Sequence, residues 1–441
     1  MKDQFKLHIL GGGPAGIASG YYANKKGMSF KIYESSDSVG GNCKTISDGQ
    51  FKFDTGAHRF HDKYDEITLE IQNLMGEQLK KVEAPSQIYY QGRMIDFPLN
   101  ISSIMTNLDK RTILKIIIEN INNMITKNSH DTNFKSLAYN NYGKTLSELF
   151  LINYTEKLWG SPADRLDARI SGSRLKHLSL SSLLRQLLFH SNNAKHLDGS
   201  FYYPEYGFGT IFEKIIGTFD DNCIQYNSPI KKIIHENKKI IKIIYRVQEV
   251  ASVDRVISTL PIHVLIKALE PSPPKQIIDI LNSIQFRNLY LYVVYLDRPK
   301  FSDNASIYYP ESKYPFTRIY EPKNRSKKMA PKDKTCIVVE IPYDQASELP
   351  LTPKEIIFKQ TCDLLLDNGL IKKEDIINHR FIDLQYAYPV LHTGSQDKIN
   401  NIFSYLSNFK NLYTIGRNAQ FQYIHTHNIF KNARSLINEI S

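Results

Sequence analysis

The sequence predicts an α/β protein centred on a parallel sheet, and three neighbouring observations carry that prediction. An apolar run, Lys6–Leu10, ends in Gly11–Gly16, whose glycines have the spacing GxGxxG, and the helical pattern Ile17–Lys26 follows at once. A second apolar strand, Ser29–Tyr33, ends in Glu34. Such glycines permit a tight turn, a close approach to a pyrophosphate and tight helix packing, and the acid about 20 residues on suits the ribose hydroxyls. We therefore predict a Rossmann-like dinucleotide-binding unit; the alternative is an ordinary glycine-rich turn.

Length and composition indicate a globular protein with a large core. The chain has 441 residues, of which 41% are hydrophobic and 23% charged. No apolar run reaches the roughly 20 residues that a membrane-spanning helix needs, and no signal-peptide pattern opens the sequence. The four cysteines are scattered, without the paired spacing of a zinc site, so we expect no bound metal and a reducing, cytoplasmic location.

The net charge of +11 could indicate nucleic acid or a membrane surface as a partner. The lysines are spread over the whole chain, however, and no basic helix with interleaved aromatic residues is present. We therefore expect a small-molecule substrate, whose binding a positive cleft would favour if it carries phosphate, and no nucleic-acid partner. The sequence is compatible with a homo-oligomer.

The hydrophobic periodicity predicts further elements along the chain. Residues 224–226, 230–234 and 240–247 are expected to form consecutive antiparallel strands, and 253–261 a buried strand stopped by proline. The other predictions are helices at 64–75, 101–126, 145–159, 171–191, 211–219, 353–370 and 424–440, a hairpin at 88–97, a β-rich region at 286–343 and a last buried strand at 411–417.

These elements predict three structural units, of which the nucleotide-binding unit is discontinuous. That unit is expected to combine residues 1–75, 200–265 and 405–441. Residues 76–199 are expected to form a mainly helical insertion beside the substrate cleft, and 266–404 a mixed β-sheet substrate domain. No second GxGxxG follows a strand, so we expect no separate NAD(P) module.

Several segments resemble the FAD-dependent amine oxidase superfamily, in particular its UDP-galactopyranose mutase-like and protoporphyrinogen oxidase-like branch. The segments that carry the resemblance share glycine, aromatic and basic residues: Phe53-Asp-Thr-Gly-Ala-His58-Arg-Phe, Tyr154-Thr-Glu-Lys-Leu-Trp159-Gly, Arg174-Leu-Lys-His-Leu-Ser-Leu, Tyr203-Pro-Glu-Tyr-Gly207, Ala387-Tyr388-Pro-Val and Ile415-Gly416-Arg417. The resemblance covers nearly the whole chain and implies FAD as the cofactor.

The resemblance also implies a set of cofactor-binding residues, among which His58 would lie against the flavin ring and act in catalysis. For His58 the alternative is a loop histidine bound to a backbone carbonyl. The full cofactor set comprises Gly11, Gly13, Pro14, Ala15, Gly16, Glu34, Ser35, Gly40, Gly41, Asn42, Gly56, Ala57, His58, Arg59, Ile230, Gly416, Arg417, Ile424 and His425.

For the substrate, the resemblance to the mutases implies a cleft lined by Tyr154 and Trp159. It further implies that Arg318 and Arg174 grip a sugar-nucleotide diphosphate, with a hydrogen bond from Tyr388 to the same group. An arginine suits this task because its planar fork donates bidentately to phosphate oxygens. The alternatives are a core tryptophan, a core tyrosine and, for Arg318, a surface salt bridge.

Two enzymatic functions and one non-enzymatic function follow from the resemblance. The first is a redox-neutral, mutase-like ring isomerisation of a nucleotide sugar by reduced flavin, in cell-surface polysaccharide biosynthesis. The second is an oxidase or desaturase of the protoporphyrinogen oxidase or amine oxidase type, whose cleft should be mainly apolar. The third is a non-catalytic flavin-binding protein. The sequence departs from the mutase pattern at Gln422, where an arginine is usual, and no carboxylate follows it.

Overall fold

A parallel five-stranded sheet forms the centre of the molecule, as the sequence predicts. The computed structural model describes residues 6–99, 101–126, 131–171, 200–345 and 349–441. Across this sheet the strands run in the order Leu412–Thr414, Arg255–Ser258, Leu7–Leu10, Phe30–Tyr33 and Ile224–Gln225, and every pair is parallel. The strand Leu7–Leu10 is therefore central, between the nearby Phe30–Tyr33 and the distant Arg255–Ser258, and its residues are buried.

The glycine motif joins the central strand Leu7–Leu10 to the helix Pro14–Lys25. Gly11 has a φ of +101°, a conformation that favours glycine, and provides the turn. A Cβ atom on Gly16 would lie only 1.9 Å from the carbonyl oxygen of Gly11. The motif therefore packs the helix against the strand end so closely that no side chain fits at Gly16.

One strand prediction is wrong in its pairing. Ile224–Gln225 does not continue an antiparallel series but pairs in parallel with Ile32 and Tyr33 at the edge of the five-stranded sheet. A two-residue strand carries too little pattern to show its partner. The following strands form a separate four-stranded sheet, in the order Glu249–Ser252, Lys239–Tyr245, Ile230–Glu236 and Leu269–Glu270.

The third large element is a seven-stranded sheet that contains the predicted β-rich region. The longest strand within this region is Gln285–Leu296, whose last ten residues are buried. In order across the sheet the strands are Ile376–Val390, Gln285–Leu296, Thr335–Tyr343, Arg318–Tyr320, Ser306–Tyr308, Ser86–Tyr90 and Arg93–Phe97. The last two form the predicted hairpin, so a part of the segment expected to be mainly helical belongs to this sheet.

Two short antiparallel pairs and a series of helices complete the described residues. The pairs are Thr45–Asp48 with Phe51–Asp54, and Leu79–Val82 with Phe201–Pro204. The helices are Pro14–Lys25, Asp65–Met75, Ile101–Asn107, Lys110–Thr126, Phe134–Tyr142, Lys144–Ser147, Asn153–Trp159, Thr210–Ile216, Ile262–Ala268, Lys275–Ser283, Lys354–Asp367, Ser395–Leu406 and Thr426–Ile440, with a π-helical turn at Glu148–Ile152.

The single helix predicted over 101–126 is two helices. Asp109 lies between them, and its carboxylate accepts hydrogen bonds from the backbone N–H groups of Arg111 and Thr112 at 3.0 Å. An aspartate in this position caps a new helix, which is why the chain starts a second helix there. The helix predicted over 171–191 lies outside the described residues except for Ser171, which ends a 3₁₀ turn.

None of the helices in the described part of the chain is long and apolar enough to cross a membrane. The limits of the three predicted units stay predictions.

Candidate functional site

The predicted nucleotide-binding residues meet at the carboxyl edge of the five-stranded sheet. The carboxylate of Glu34 accepts a hydrogen bond from the Gly12 N–H at 2.7 Å and another from the Ser36 N–H at 2.9 Å. The Gly40 N–H donates to the Gly12 carbonyl at 2.9 Å, which joins the second glycine loop to the first. A Cβ added to Gly13 would contact the Cα of Gly41 at 3.8 Å, so the two glycine loops lie against each other here. The N–H groups at the start of the helix Pro14–Lys25 are the kind of donors that bind a phosphate.

His58 lies in the next glycine-bearing loop and is held in one tautomer. Its Nε2 lies 2.8 Å from the Asn42 carbonyl, which can only accept, so Nε2 carries the proton and Nδ1 is left as the acceptor. Nδ1 lies 3.9 Å from the Cys43 thiol. Burial lowers the pKa of His58 to about 3, and the nearby charges of Arg325, Arg318 and Arg417 act in the same direction. His58 is therefore neutral at physiological pH, with the carbonyl contact that the alternative interpretation expected.

The strand Leu412–Thr414 brings Gly416 and Arg417 to the same edge. Gly416 has a φ of +109°, and a Cβ there would lie 2.7 Å from that of Ala15. The Arg417 guanidinium lies over the rings of Tyr388 and Tyr423, at 4.7 and 4.6 Å from their centroids. Its Nε and Nη2 are buried without a hydrogen-bond partner, although a guanidinium is costly to bury unpaired. The site therefore lacks an acceptor that a ligand would supply.

Other members of the predicted cofactor set lie around this edge with protein contacts of their own. Asn42 donates from Nδ2 to the carbonyls of Gln385 and Tyr386, while Arg59 donates to Ser86 at 2.9 Å and stacks on Phe201. His425 begins the helix Thr426–Ile440 as its N-terminal cap. Gly56 and Ala57 lie beside His58, and Ile424 packs in the core beside the last helix. The Ser35 hydroxyl donates to the Glu34 carboxylate at 3.2 Å. Ile230 begins its strand near Ser228, whose N–H donates to the Glu34 carbonyl.

The predicted substrate residues Tyr154 and Trp159 line a cavity of about 100 Å³. Trp159 is only 4% exposed, and its ring lies 5.7 Å from that of Tyr388 and 5.4 Å from that of Tyr423. Apart from Thr155 and Ser171, the lining residues are apolar or aromatic. The full lining is Ile88, Phe97, Phe134, Phe150, Leu151, Tyr154, Thr155, Leu158, Trp159, Ile170, Ser171, Tyr308, Pro310 and Tyr423. The cavity reaches the Arg417 site because Tyr423 belongs to both.

Arg318 lies in the same region, but its fork is engaged by a carboxylate. Its Nε and Nη2 donate to Glu340 at 2.9 and 2.7 Å, across the antiparallel pairing of the two strands. Glu340 is only 1% exposed, and the Arg318 side chain 13%. Arg318 therefore forms a salt bridge, which was the alternative to a role in phosphate binding, but this salt bridge lies in the interior rather than at the surface. Burial alone would lower the pKa of Arg318, but the negative charge of Glu340 opposes this, and the pKa lies above its usual value. The two opposite charges together form a neutral pair in the cleft.

Tyr154 and Tyr388 share the electrostatic environment of this pair. Burial raises the pKa of both phenols, that of Tyr388 to about 12, while Arg318 opposes the shift in each case. Both hydroxyls are therefore protonated at neutral pH and are able to donate to a ligand oxygen. Arg174 lies outside the described residues, so its distance from Arg318 stays a prediction.

Two cations hold the short helix Asn153–Trp159, which carries Tyr154 and Trp159. The Lys157 ammonium donates to four backbone carbonyls of the segment 309–316. Arg287 donates to the carbonyls of Leu158 and Lys157 and forms an ion pair with Asp344. These contacts fix the helix end, and with it the tryptophan, against the strand Gln285–Leu296 and against the segment 309–316, which links two other strands of the seven-stranded sheet.

Most of the cavity lining was not predicted, and neither were three residues that contact the predicted ones: Glu340, Tyr308 and Tyr423. A sequence signal existed for Glu340, because it is the only charged residue in the otherwise apolar strand Thr335–Tyr343, and a lone buried carboxylate needs a cationic partner. No comparable signal marks the two tyrosines. In the described part of the chain, no group of three His, Cys, Asp or Glu side chains is arranged to hold a metal.

A family model described as flavin containing amine oxidoreductase matches residues 14–397. The chain belongs to this family. The flavoenzyme is similar in fold to a reduced UDP-galactopyranose mutase, with a TM-score of 0.88 at 18% identity over 99% of this chain and 95% of the other. It is also similar to a putative protoporphyrinogen oxidase from Exiguobacterium sp. 255-15, with a TM-score of 0.76 at 17% identity over 100% and 99% of the two chains.

The chain is also similar to a putrescine oxidase in fold and, over a short stretch of sequence, to a reductase. A putrescine oxidase bound to putrescine has a TM-score of 0.67 at 13% identity over 100% of this chain and 99% of that one. Ferredoxin–NADP reductase 2 of Shouchella clausii (strain KSM-K16) is 32% identical over 79 residues, which are 17% of this chain. The flavoenzyme spans only 24% of the length of that reductase.

Membership of the family makes the protein an FAD-dependent enzyme rather than a non-catalytic flavin-binding protein. The residues present fit the cofactor. Buried polar atoms without a partner lie beside the strand Leu412–Thr414, at Ser258 Oγ, Asn418 Oδ1 and Gln420 Oε1. A ligand with a polar heteroaromatic ring would satisfy such atoms, and its pyrophosphate would meet the N–H groups at the start of the helix Pro14–Lys25.

Proposed function

We propose that this flavoenzyme rearranges the sugar ring of a nucleotide-diphosphate sugar with reduced FAD, in the manner of a UDP-galactopyranose mutase. Reduced FAD supplies the nucleophile for such a reaction, and the protein supplies binding and orientation. The observation that carries the proposal is the position of Arg417. An arginine with two unpartnered nitrogens lies directly beside an aromatic cavity, as recognition of a base and a phosphate requires.

The aromatic cavity suits a planar base. Tyr154, Tyr308 and Trp159 present ring faces and edges, and the Tyr154 and Tyr308 rings lie edge to face at 5.6 Å. Aromatic walls bind a planar group through offset stacking and exclude water from it. In our proposal the base occupies this cavity and the diphosphate extends past Tyr423 towards Arg417.

The diphosphate would meet Arg417 first and Arg318 only in part. Arg417 has Nε and Nη2 on one edge of its guanidinium, the pair of nitrogens that binds two phosphate oxygens at once. Arg318 offers the same edge to Glu340 instead. The ring of Tyr388 contacts both Arg417 and Trp159, and its hydroxyl would donate a further hydrogen bond. The role predicted for Arg318 thus passes mainly to Arg417.

Binding and turnover of UDP-galactose by the FAD-loaded enzyme test this proposal. We expect UDP to bind, and UDP-galactopyranose and UDP-galactofuranose to interconvert only after anaerobic reduction with dithionite. Arg417→Lys should weaken UDP binding at least tenfold, since a lysine cannot donate bidentately. The matched control is Arg434→Lys, at an exposed ion pair with Glu66 on the last helix.

The proposal fails if neither redox state binds UDP while the bound flavin is intact. A second candidate is an oxidase or desaturase, which the absence of charged side chains from the described cavity lining favours. Oxygen uptake with an amine or porphyrinogen substrate, and none with nucleotide sugars, would establish that candidate instead.

A further inference from the structure

Lys157 makes an arrangement of contacts that the proposed chemistry does not use. Its Nζ donates to the carbonyl oxygens of Tyr309, Glu311, Tyr314 and Phe316 at 2.7, 2.9, 2.9 and 3.0 Å. An ammonium has three N–H groups, so the four carbonyls share them. The segment 309–316 is therefore wrapped around a single positive charge that comes from another part of the chain.

The two parts joined by this charge both contribute to the lining of the aromatic cavity. The helix Asn153–Trp159 contributes Tyr154 and Trp159. The segment 309–316 contributes Pro310 and follows directly on the strand that ends with Tyr308, which is in ring contact with Tyr154. The distance between these two parts is thus set by contacts of Lys157 outside the cavity.

We propose that Lys157 is a positioning residue: its ammonium draws the segment 309–316 against the Asn153–Trp159 helix, and loss of its proton releases that wall of the cavity. A neutral amine keeps two N–H groups and turns a lone pair towards carbonyl oxygens, which repel it. At least one of the four carbonyls must then move away or find water. The inference does not depend on which substrate fills the cavity.

The charged groups around Lys157 place this change near neutral pH. Burial lowers the pKa of Lys157 to about 7, and the negative charge of Glu311 opposes the shift. Glu311 also accepts from the Gln91 N–H and pairs with Lys313, so it is only partly available to Lys157. Arg287, from the seven-stranded sheet, faces the Lys157 carbonyl rather than the ammonium.

The phenols of the wrapped segment do not titrate in the same range. Burial raises the pKa of Tyr309 and of Tyr314 above the ordinary value for tyrosine. Between pH 6 and 8, Lys157 is therefore the group in this contact whose charge changes.

Trp159 provides a direct probe, because it is the only tryptophan in the sequence and lines the cavity two residues from Lys157. The FAD-loaded enzyme labelled with 5-fluorotryptophan should give a single ¹⁹F resonance. We expect this resonance to shift as the pH rises through about 7. In Lys157→Met it should hold the high-pH position at every pH.

Lys323 offers a matched control in the same chain. Its ammonium also donates to four backbone carbonyls, those of Pro299, Pro331, Lys332 and Lys334, but it lies away from the cavity. Lys323→Met should therefore keep the titration of the Trp159 resonance while losing a comparable set of hydrogen bonds.

The titration of the wild-type protein tests the proposal without any variant. The proposal can therefore be refuted even if Lys157→Met fails to fold. A resonance that stays constant between pH 6 and 8 overturns it. So does a titration that persists unchanged in Lys157→Met, which would assign the change to a nearby histidine such as His425 beside Tyr423. Absence of UDP binding, by contrast, would remove the proposed substrate and leave the role of Lys157 intact.

Discussion

At the scale of single residues, the Arg318–Glu340 pair shows why a motif match does not by itself assign a role. The arginine occupies the place that the resemblance implies, close to Tyr154 and Tyr388. What the motif does not contain is the residue opposite it on the neighbouring strand, and that residue is a buried carboxylate. The function of the guanidinium therefore depends on a cross-strand pairing that only the fold brings about.

Replacing one member of this pair should be costly. Glu340→Gln leaves the buried Arg318 charge without its partner, and we expect the free energy of unfolding to fall by about 3–5 kcal/mol. The same change frees the Arg318 fork, so UDP should bind more tightly to whatever fraction remains folded. Urea unfolding and calorimetric titration measure the two effects. The double variant Arg318→Met/Glu340→Leu should regain most of the lost stability, and equal losses in both variants would contradict the assignment.

His427 should make stability depend on pH in the acidic range. It is 6% exposed, and burial lowers its pKa from the usual 6.5 to about 4, with Lys63 acting in the same direction. Below pH 6.5 the unfolded chain takes up a proton that the folded protein refuses, so stability falls as the pH drops towards 4. Each pKa unit corresponds to about 1.4 kcal/mol, so the loss is at most roughly 3.5 kcal/mol.

His427→Gln should flatten this dependence, because glutamine does not titrate. Unfolding in urea at several pH values between 4 and 7 measures it. An unchanged pH dependence of stability in His427→Gln would refute the explanation.

At the scale of the elements, long periodic or glycine-marked segments could be predicted from the sequence, and short ones could not. The central strand and its glycine motif were predicted because turn, phosphate approach and helix packing each demand glycine at a fixed position. The strand Ile224–Gln225 was assigned to the wrong sheet, since two residues carry no periodicity. The aromatic cavity was predicted only as separate residues; Tyr308 reaches it through pairing with distant strands, and Tyr423 lies in a segment without regular secondary structure.

Gly16 permits a test of the element that was predicted best. Gly16→Ala places a Cβ 1.9 Å from the Gly11 carbonyl oxygen, so the helix Pro14–Lys25 must move away from its strand. We expect loss of bound FAD, measured as flavin absorbance that remains with the protein after gel filtration, and a stability loss of at least about 2 kcal/mol. Gly27→Ala, where no atom lies within 4 Å of the added Cβ, should keep its flavin; equal flavin loss in both would contradict the packing argument.

At the scale of the whole molecule, the cavity is an assembly of distant parts. The helix with Tyr154 and Trp159, the hairpin Ser86–Phe97 and the strand Ser306–Tyr308 each contribute a wall, and Arg417 approaches from near the last strand of the five-stranded sheet. Fold similarity to several flavoenzymes leaves the chemistry open, because function resides in these side chains rather than in the architecture. The proposals for Arg417 and Lys157 both concern positions where such parts meet.

The order of strands in the five-stranded sheet has a consequence for biosynthesis. The central strand Leu7–Leu10 leaves the ribosome early, but its neighbour Arg255–Ser258 follows much later, and Leu412–Thr414 later still. Until then the helix that follows the glycine loop has no Gly416 beside its Ala15. A nascent chain must therefore keep an apolar strand edge protected through most of translation, and flavin can be captured firmly only after that synthesis.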